Sequence, residues 1–443
     1  WFRKALAGDP EYMDYYIFRD GEPDVPPTNW ESKFGGSAWE YVPHLKKWYL
    51  HLFDVTQADL NWDNPKVREE LKNVIRFWKN KGVKGFRFDV VNLISKPEAF
   101  ENDYAGDGRR FYTDGPHVHE YLQELTRDTG IASMVTVGEM SSTSLENCIR
   151  YSRPEDKELT MCFNFHHLKV DYKDGDKWKL KEPDLGELKR LFTEWQEGME
   201  KAGGWNAVFW CNHDQPRAVS RFGDDRKYWK ESAKTLAIVA HMFRGTPYVY
   251  QGEELGMTNP RYSDISQYRD VESINYYKIL QERGASKEEA LAVLGERSRD
   301  NGRTPMQWKA GPNAGFTDGE PWIGIPENYS YINVEEENKD EDSILSCYKK
   351  LIWLRKEHRV IAEGDIGFIY RDHPQVLAYR RRTEEEELIV LANMTGREAA
   401  LAPAFDAGGW ELLTASWKEA PAQAEGEIRM LRPFESQVWR KSR

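Results

Sequence analysis

From residue 63 onward the apolar positions follow two alternating periods. Asp63-Asn64-Pro65 supplies a capping side chain and then a proline where a helix can spare the N–H. Val67, Leu71, Val74, Ile75 and Trp78 then fall at helical spacing, and Gly82 stops the run. A short strand, Val83–Val90, follows directly. The same order recurs as a helix near His117–Asp128 with a strand at Ser133–Val137, then a strand at Leu159–Phe165 and a helix at Leu185–Gln196. A strand at Trp205–Trp210, a helix near Lys230–Phe243 and a strand at Thr246–Tyr250 complete it. Short strands separated by helices imply parallel pairing through crossovers, hence an α/β sheet that is closed into a barrel or doubly wound. Five strands are countable, three short of an eight-stranded barrel.

On either side the pattern changes. The first sixty residues hold turn-rich stretches, Glu22–Thr28 and Ser32–Ser37, between aromatic, strand-like runs at Tyr15–Phe18 and Trp48–Phe53, and read as a small β-rich excursion. Residues 252–360 read as a long loop region closed by a helix at Ile344–Lys356. Beyond Val360, short strand-like segments such as Val376–Tyr379, Leu388–Ala392 and Ile428–Leu431 predict a C-terminal antiparallel sandwich. The expected domains are therefore 1–62, 63–360 and 361–443.

Composition narrows the class. In 443 residues, 62 Lys+Arg against 74 Asp+Glu leave a net charge of −12, which disfavours a protein that coats a phosphate backbone. The four cysteines, Cys148, Cys162, Cys211 and Cys347, are scattered, which excludes a disulfide scaffold or zinc ribbon and suits a reducing compartment. The longest apolar stretch, around Leu236–Phe243, is too short to span a bilayer. The start, Trp1-Phe2-Arg3-Lys4, has no initiator methionine and no signal-peptide pattern, so the chain reads as the remainder of something longer. The aromatic content, 13%, fits a large core, although flat rings also stack on sugars.

No dinucleotide fingerprint, phosphate loop, HExxH or nucleophile elbow is present. The pairs His117/His119 and His166/His167 lack neighbours that would complete a metal site. What remains is acidic. Asp89 closes GFRFD, Glu139 closes MVTVGE and Asp214 closes AVFWCNHD, each just behind an apolar run. In parallel barrels the C-terminal strand ends form the active face. A retaining glycosidase needs two carboxylates about 5–5.5 Å apart, one ionised nucleophile and one proton-carrying acid/base. Arg87, two residues before Asp89 on the same strand face, puts a fixed positive charge beside it. Glu139 has no cation within two residues, which suits a group that holds a proton. Asp214, with His213 beside it, suits hydrogen bonds to sugar hydroxyls.

GFRFDV, TVGE and NHD resemble three conserved regions of the alpha-amylase superfamily, glycoside hydrolase family thirteen. Gln57–Asn61 (QADLN) and Arg303–Trp308 (RTPMQW) resemble markers of its oligo-1,6-glucosidase-like branch. Within that branch the stretches Asn29–Trp39, Asp107–Pro116, Gly138–Glu146 and Phe163–Tyr172 are most similar to hydrolases of a phosphorylated α,α-1,1-linked disaccharide. The resemblance implies a (β/α)8 TIM-type barrel with a β-rich insert and a C-terminal antiparallel β-sandwich. It implies Asp89 as nucleophile, Glu139 as general acid/base, Asp214 as transition-state stabiliser, and Arg87, His213 and Arg303 around the nonreducing-end glucose. The implied substrate is a sugar phosphate cleaved by water. Lys169 is the first candidate for its phosphate, and Arg109 and Arg110 the second.

The same resemblance places the family's first conserved region and barrel strands one to three upstream of Trp1, so that strands four to eight are the ones expected here and the chain alone is expected to have little activity. No cofactor is expected in this chain; a calcium site, if the protein has one, would lie in that upstream part. No nucleic-acid or membrane partner is expected, and the compartment is expected to be the cytoplasm. The alternative within the branch is an oligo-1,6-glucosidase or other α-glucosidase, or a sugar isomerase. A noncatalytic barrel fits poorly with three standing carboxylates.

Overall fold

The turn-rich beginning folds into a three-stranded antiparallel sheet, β1 (Phe18–Asp20), β2 (Trp39–Val42) and β3 (Lys47–Leu50), in the order β1-β3-β2. Trp39, Trp48 and Leu50 pack with Ile17, Trp30, Leu52, Leu93 and Tyr112 into its buried core. The computed structural model describes residues 1–419 and 426–443, which form two units: 1–165 with 202–205, and 166–201 with 206–443.

In the first unit, α1 (Pro65–Asn80) opens as expected, with Asn64 accepting the Lys66 N–H and Pro65 in the first turn. Its buried edge is Val67 and Ile75, while Val74, Phe77 and Trp78 stay about half exposed. The side turned inward is set by charge as much as by apolar spacing. Arg68 pairs with Glu124, and the buried Lys72 pairs with Glu124 and Asp128 (2.6 and 2.8 Å) on α2 (Val118–Thr129). Strands β4 (Gly85–Phe88), β5 (Val135–Met140) and β6 (Met161–Asn164) form a parallel sheet in that order, with α2 and α3 (Leu145–Ser152) as the crossovers. Ile75, Leu125 and Ile131 pack with Phe86, Phe88 and Met134 against this sheet.

The second unit continues the alternation with α4 (Leu185–Lys201), β7 (Ala207–Val208), α5 (Trp229–Met242) and β8 (Thr246–Pro247), and β7 and β8 pair in parallel. Both strands are shorter than the spacing predicts. Pro247 has no N–H to give to a ladder, and Trp210 turns its indole N–H to the Leu236 carbonyl on α5. Every residue of α5 from Ser232 to Met242 is buried, Lys234 with its ammonium 2.7 Å from Asp342. The five parallel strands match the number read from the sequence.

Residues 252–360 are not the long loop region expected. They carry α6 (Val271–Glu282) and α7 (Lys287–Arg297), whose Tyr277, Ala290, Leu291 and Leu294 share a core with Trp178, Tyr262 and Tyr268. Each helix is capped, α6 by Asp270 and α7 by a reciprocal Ser286–Glu289 box, and that box is the signal that could have found α7. The helix expected near 344–356 is α8 (Ile344–Glu357).

The C-terminal part holds β9 (Asp365–Ile369), β10 (Val376–Arg382), β11 (Glu386–Asn393), β12 (Ala399–Asp406), β13 (Glu411–Ala415), β14 (Glu427–Leu431) and β15 (Ser436–Ser442). They make one antiparallel sheet in the order β13-β15-β11-β10-β9 and a second of β12 and β14. Val376, Ala378, Ile389, Leu391 and Trp439 of the first meet Ala399, Leu401 and Leu431 of the second, which is the sandwich expected.

Candidate active site

In the first unit, β4 and β5 run in parallel register with Arg87 opposite Val137 and Phe88 opposite Gly138. Asp89 follows the last paired residue of β4 and Glu139 follows Gly138 in β5, so both lie at the same end of the sheet. Arg87 spans both: Nη1 lies 2.6 Å from Asp89 Oδ1, and Nη2 contacts Glu139 Oε2. Asp89 is 72% exposed and Glu139 only 13%. Glu139 therefore does have a cationic neighbour, contrary to the expectation from its flanking residues. The cation comes from the adjacent strand, where distance along the chain carries no information.

In the second unit the chain leaves β7 through the buried Phe209, Trp210 and Cys211 and turns at Asn212, whose Oδ1 accepts the Asp214 N–H at 2.8 Å. Gly302 lies against this turn; a Cβ there would stand 2.5 Å from the Gln215 carbonyl oxygen and 3.1 Å from that of Asn212. The close approach lets Arg303 donate from Nε to the His213 carbonyl (2.7 Å) and from Nη2 to Asp214 Oδ1. His213 Nε2 lies 3.6 Å from Asp214 Oδ2 and is half exposed.

Two further residues complete this half, and the sequence reading missed both. Arg299 lies 3.5 Å from Asp214 Oδ1 and 2.5 Å from Asp270 Oδ1; Arg303 Nη1 reaches the same Asp270 oxygen at 3.8 Å. Burial opposes ionisation of Asp270, but the Arg299 guanidinium and Ser273 hold its carboxyl below the usual range. Asp270 is thus the shared counter-ion of the two arginines that approach Asp214. Its place as the cap of α6 was the one legible sign.

Lys169 is exposed at the end of the turn His166–Lys169. Arg109 forks onto Asp107 (2.9 and 2.6 Å), and Arg110 Nε lies 3.0 Å from the buried carboxylate of Asp103. Burial works against the Asp107 anion, yet Arg109 draws its carboxyl down to about 2. Both arginines already have acidic partners.

The histidine pairs are structural in their contacts. His119 binds the buried Glu158 (2.9 Å), and His167 meets the Phe209 carbonyl (2.9 Å) while burial pushes its ring down to about 3. Among the described residues no group of three or more His, Cys, Asp or Glu side chains could hold a metal ion, and no helix is long and apolar enough to cross a membrane. The four cysteines are buried and free.

The alpha-amylase catalytic-domain family matches residues 1–364, and the chain belongs to that family. The trehalose-6-phosphate hydrolase of Escherichia coli (strain K12) is 52% identical over 440 residues, covering 99% of this chain and 79% of the relative. The crystal structure of the trehalose-6-phosphate hydrolase of Bacillus licheniformis superposes with a TM-score of 0.93 at 52% identity, over 100% of this chain and 81% of that one. The oligo-1,6-glucosidase of Parageobacillus thermoglucosidasius is 45% identical over 456 residues, covering 99% of this chain and 80% of the relative. The fold class implied by the sequence motifs, a (β/α)8 TIM-type barrel with a C-terminal β-sandwich, is the fold of this family.

Proposed function

We propose that the chain is a retaining glycoside hydrolase that splits trehalose 6-phosphate into glucose and glucose 6-phosphate. The observation that carries the chemistry is the Arg87 bridge: one guanidinium contacts both Asp89 and Glu139 at the same end of the β4–β5 sheet, which supports a close carboxylate pair of the kind a retaining enzyme uses.

In this reading Asp89 attacks the anomeric carbon while Glu139 gives its proton to the departing glycosidic oxygen, and glucose 6-phosphate leaves. Glu139 then takes a proton from water, which attacks the glucosyl–Asp89 ester and frees glucose with its configuration retained. Asp214, held by Arg303, is the transition-state stabiliser. Lys169, exposed at the end of its turn, is the proposed phosphate contact. The substrate class rests on likeness to the named hydrolases, at 52% identity against 45% for the oligo-1,6-glucosidase. A phosphorylated disaccharide does not cross a bilayer unaided, and four free cysteines suit a reducing interior, so we place the protein in the cytoplasm.

The test is to compare kcat/KM on trehalose 6-phosphate and isomaltose, and to follow the anomer first released by NMR. A preference for the phosphorylated sugar with α-glucose appearing first is expected. Preference for isomaltose would transfer the assignment to the α-1,6-glucosidases, and β-glucose as first product would overturn the two carboxylate roles.

A further inference from the structure

The backbone after Asp89 is held in a conformation it would not adopt alone. Val90 sits at φ 35°, ψ 40°, the left-handed region that a β-branched residue strongly resists. Strain of this kind persists only where neighbours over-determine it, and two residues on Asn92 does so. Asn92 is fully buried, and its amide is engaged at both ends. Oδ1 accepts the Ser141 N–H at 2.9 Å, while Nδ2 donates to the Ser141 carbonyl at 2.8 Å and to Asp114 Oδ1 at 3.0 Å. The Asn92 carbonyl in turn accepts the Asp114 N–H at 2.9 Å.

Ser141 is the second residue after Glu139. One amide side chain therefore ties the turn that follows Asp89 to the turn that follows Glu139. Asp114 buttresses the tie, because its carboxylate also accepts from Thr143 Oγ1 (2.9 Å), Asn147 Nδ2 (2.9 Å) and the Tyr151 hydroxyl (2.7 Å). Only a primary amide offers Ser141 a donor and an acceptor from one planar group of this length; a carboxylate would face the Ser141 carbonyl with like polarity, and an aliphatic group would leave two buried backbone groups unpaired.

We propose that Asn92, buttressed by Asp114, is a positioning residue that fixes the separation of Asp89 and Glu139. The proposal rests on the roles given to those two carboxylates above. A retaining mechanism tolerates little change in their spacing, and displacement of a reacting group by about 1 Å costs about 100-fold in rate.

The experiment is a leaving-group comparison. A 4-nitrophenyl α-glucoside leaves with little need of a proton, whereas the sugar leaving group of trehalose 6-phosphate depends on Glu139 to supply one. Asn92→Ala is expected to lose about 100-fold in kcat/KM on trehalose 6-phosphate and under tenfold on the aryl glucoside. Tyr151→Phe, which touches Asp114 but not Asn92, is expected to lower the urea midpoint without splitting the two substrates. Asp114→Asn, of unchanged volume, carries the same test should Asn92→Ala fail to fold. Equal losses on both substrates in a folded variant would overturn the proposal. Glu139→Gln is measured alongside: if it produces no split, the acid/base assignment falls, whereas a split in Glu139→Gln without one in the Asn92 and Asp114 variants removes the positioning role alone.

Discussion

Glu253, just beyond β8, allows a quantitative test of the second unit's interior. Its carboxyl is buried: one oxygen accepts the Tyr348 hydroxyl at 2.8 Å, and the other has no hydrogen-bond partner. Burial pushes the group from its ordinary 4.5 up to about 7, the Tyr348 hydroxyl working against that rise and Glu254 adding to it. The sign follows from proton counting. Below the unfolded value both states are protonated and the group is silent. Between the two values the unfolded chain releases its proton while the folded one keeps it, so folding loses stability as pH rises, and the loss is complete above about 7. Integrated from pH 5 to pH 8.5, the loss is about 2.5 kcal/mol. Glu253→Gln keeps the acceptor for Tyr348 and cannot ionise. Its unpartnered amide resembles the unpartnered hydroxyl of the protonated acid, so that contribution is common to both proteins. Urea unfolding of wild type and variant across this range should show the variant gaining about 2.5 kcal/mol on wild type between the two ends. Tyr348→Phe, which removes the bond favouring the anion, should move the wild-type loss to higher pH. Parallel curves for Glu253→Gln and wild type from pH 5 to 8.5 would refute the reasoning.

Three other outcomes are expected. Asp171 lies between the buried Arg221 and Arg297, so Asp171→Asn leaves two buried guanidinium groups without their counter-charge and should cost about 3–5 kcal/mol in urea unfolding at pH 7. Burial opposes the Asp171 anion, but the arginines hold its carboxyl below the ordinary value; its contribution should therefore be present above about pH 4 and vanish as pH falls through the lower folded value, so wild type and variant should converge there. Gly302→Ala puts a methyl 2.5 Å from the Gln215 carbonyl oxygen and should displace the His213–Asp214 turn, lowering kcat/KM about 100-fold; unchanged kinetics would contradict the close packing. Lys169→Ala should raise KM for trehalose 6-phosphate and barely alter a 4-nitrophenyl α-glucoside, a contrast that equal losses on both would erase.

Much of the fold was legible because its elements carry their own punctuation. Asn64-Pro65 and Gly82 bracket α1, and the apolar runs before Asp89 and Glu139 end close to where β4 and β5 end. The elements missed were those whose burial is decided elsewhere. Helices α6 and α7 have no sharp apolar stripe; they are helices because Asp270 and Ser286 cap them and because Trp178, Tyr262 and Tyr268 cover them. Val74 and Trp78 matched a helical face but not the one that packs, since the ion pairs of Arg68 and Lys72 orient α1 and the pairs lie with residues more than fifty positions away.

The site divides along the same physical line. Contacts within one strand follow from its period of two, so Arg87 could be assigned to Asp89 from the string alone. Contacts across strands depend on register, which no residue flanking Glu139 in the sequence reveals. That is why the Arg87–Glu139 contact was hidden, and why Asn92 and Ser141, forty-nine positions apart, gave no sign of meeting. The hidden contact alters the chemistry expected of the pair. Arg87 reaches Asp89 along its own strand and Glu139 across the sheet, so in the proposed reaction one guanidinium orients the nucleophile and the acid/base together. A cation placed to serve a single acid would hold one carboxyl group and leave the other to find its own position; one that touches both makes the geometry of the pair a single unit.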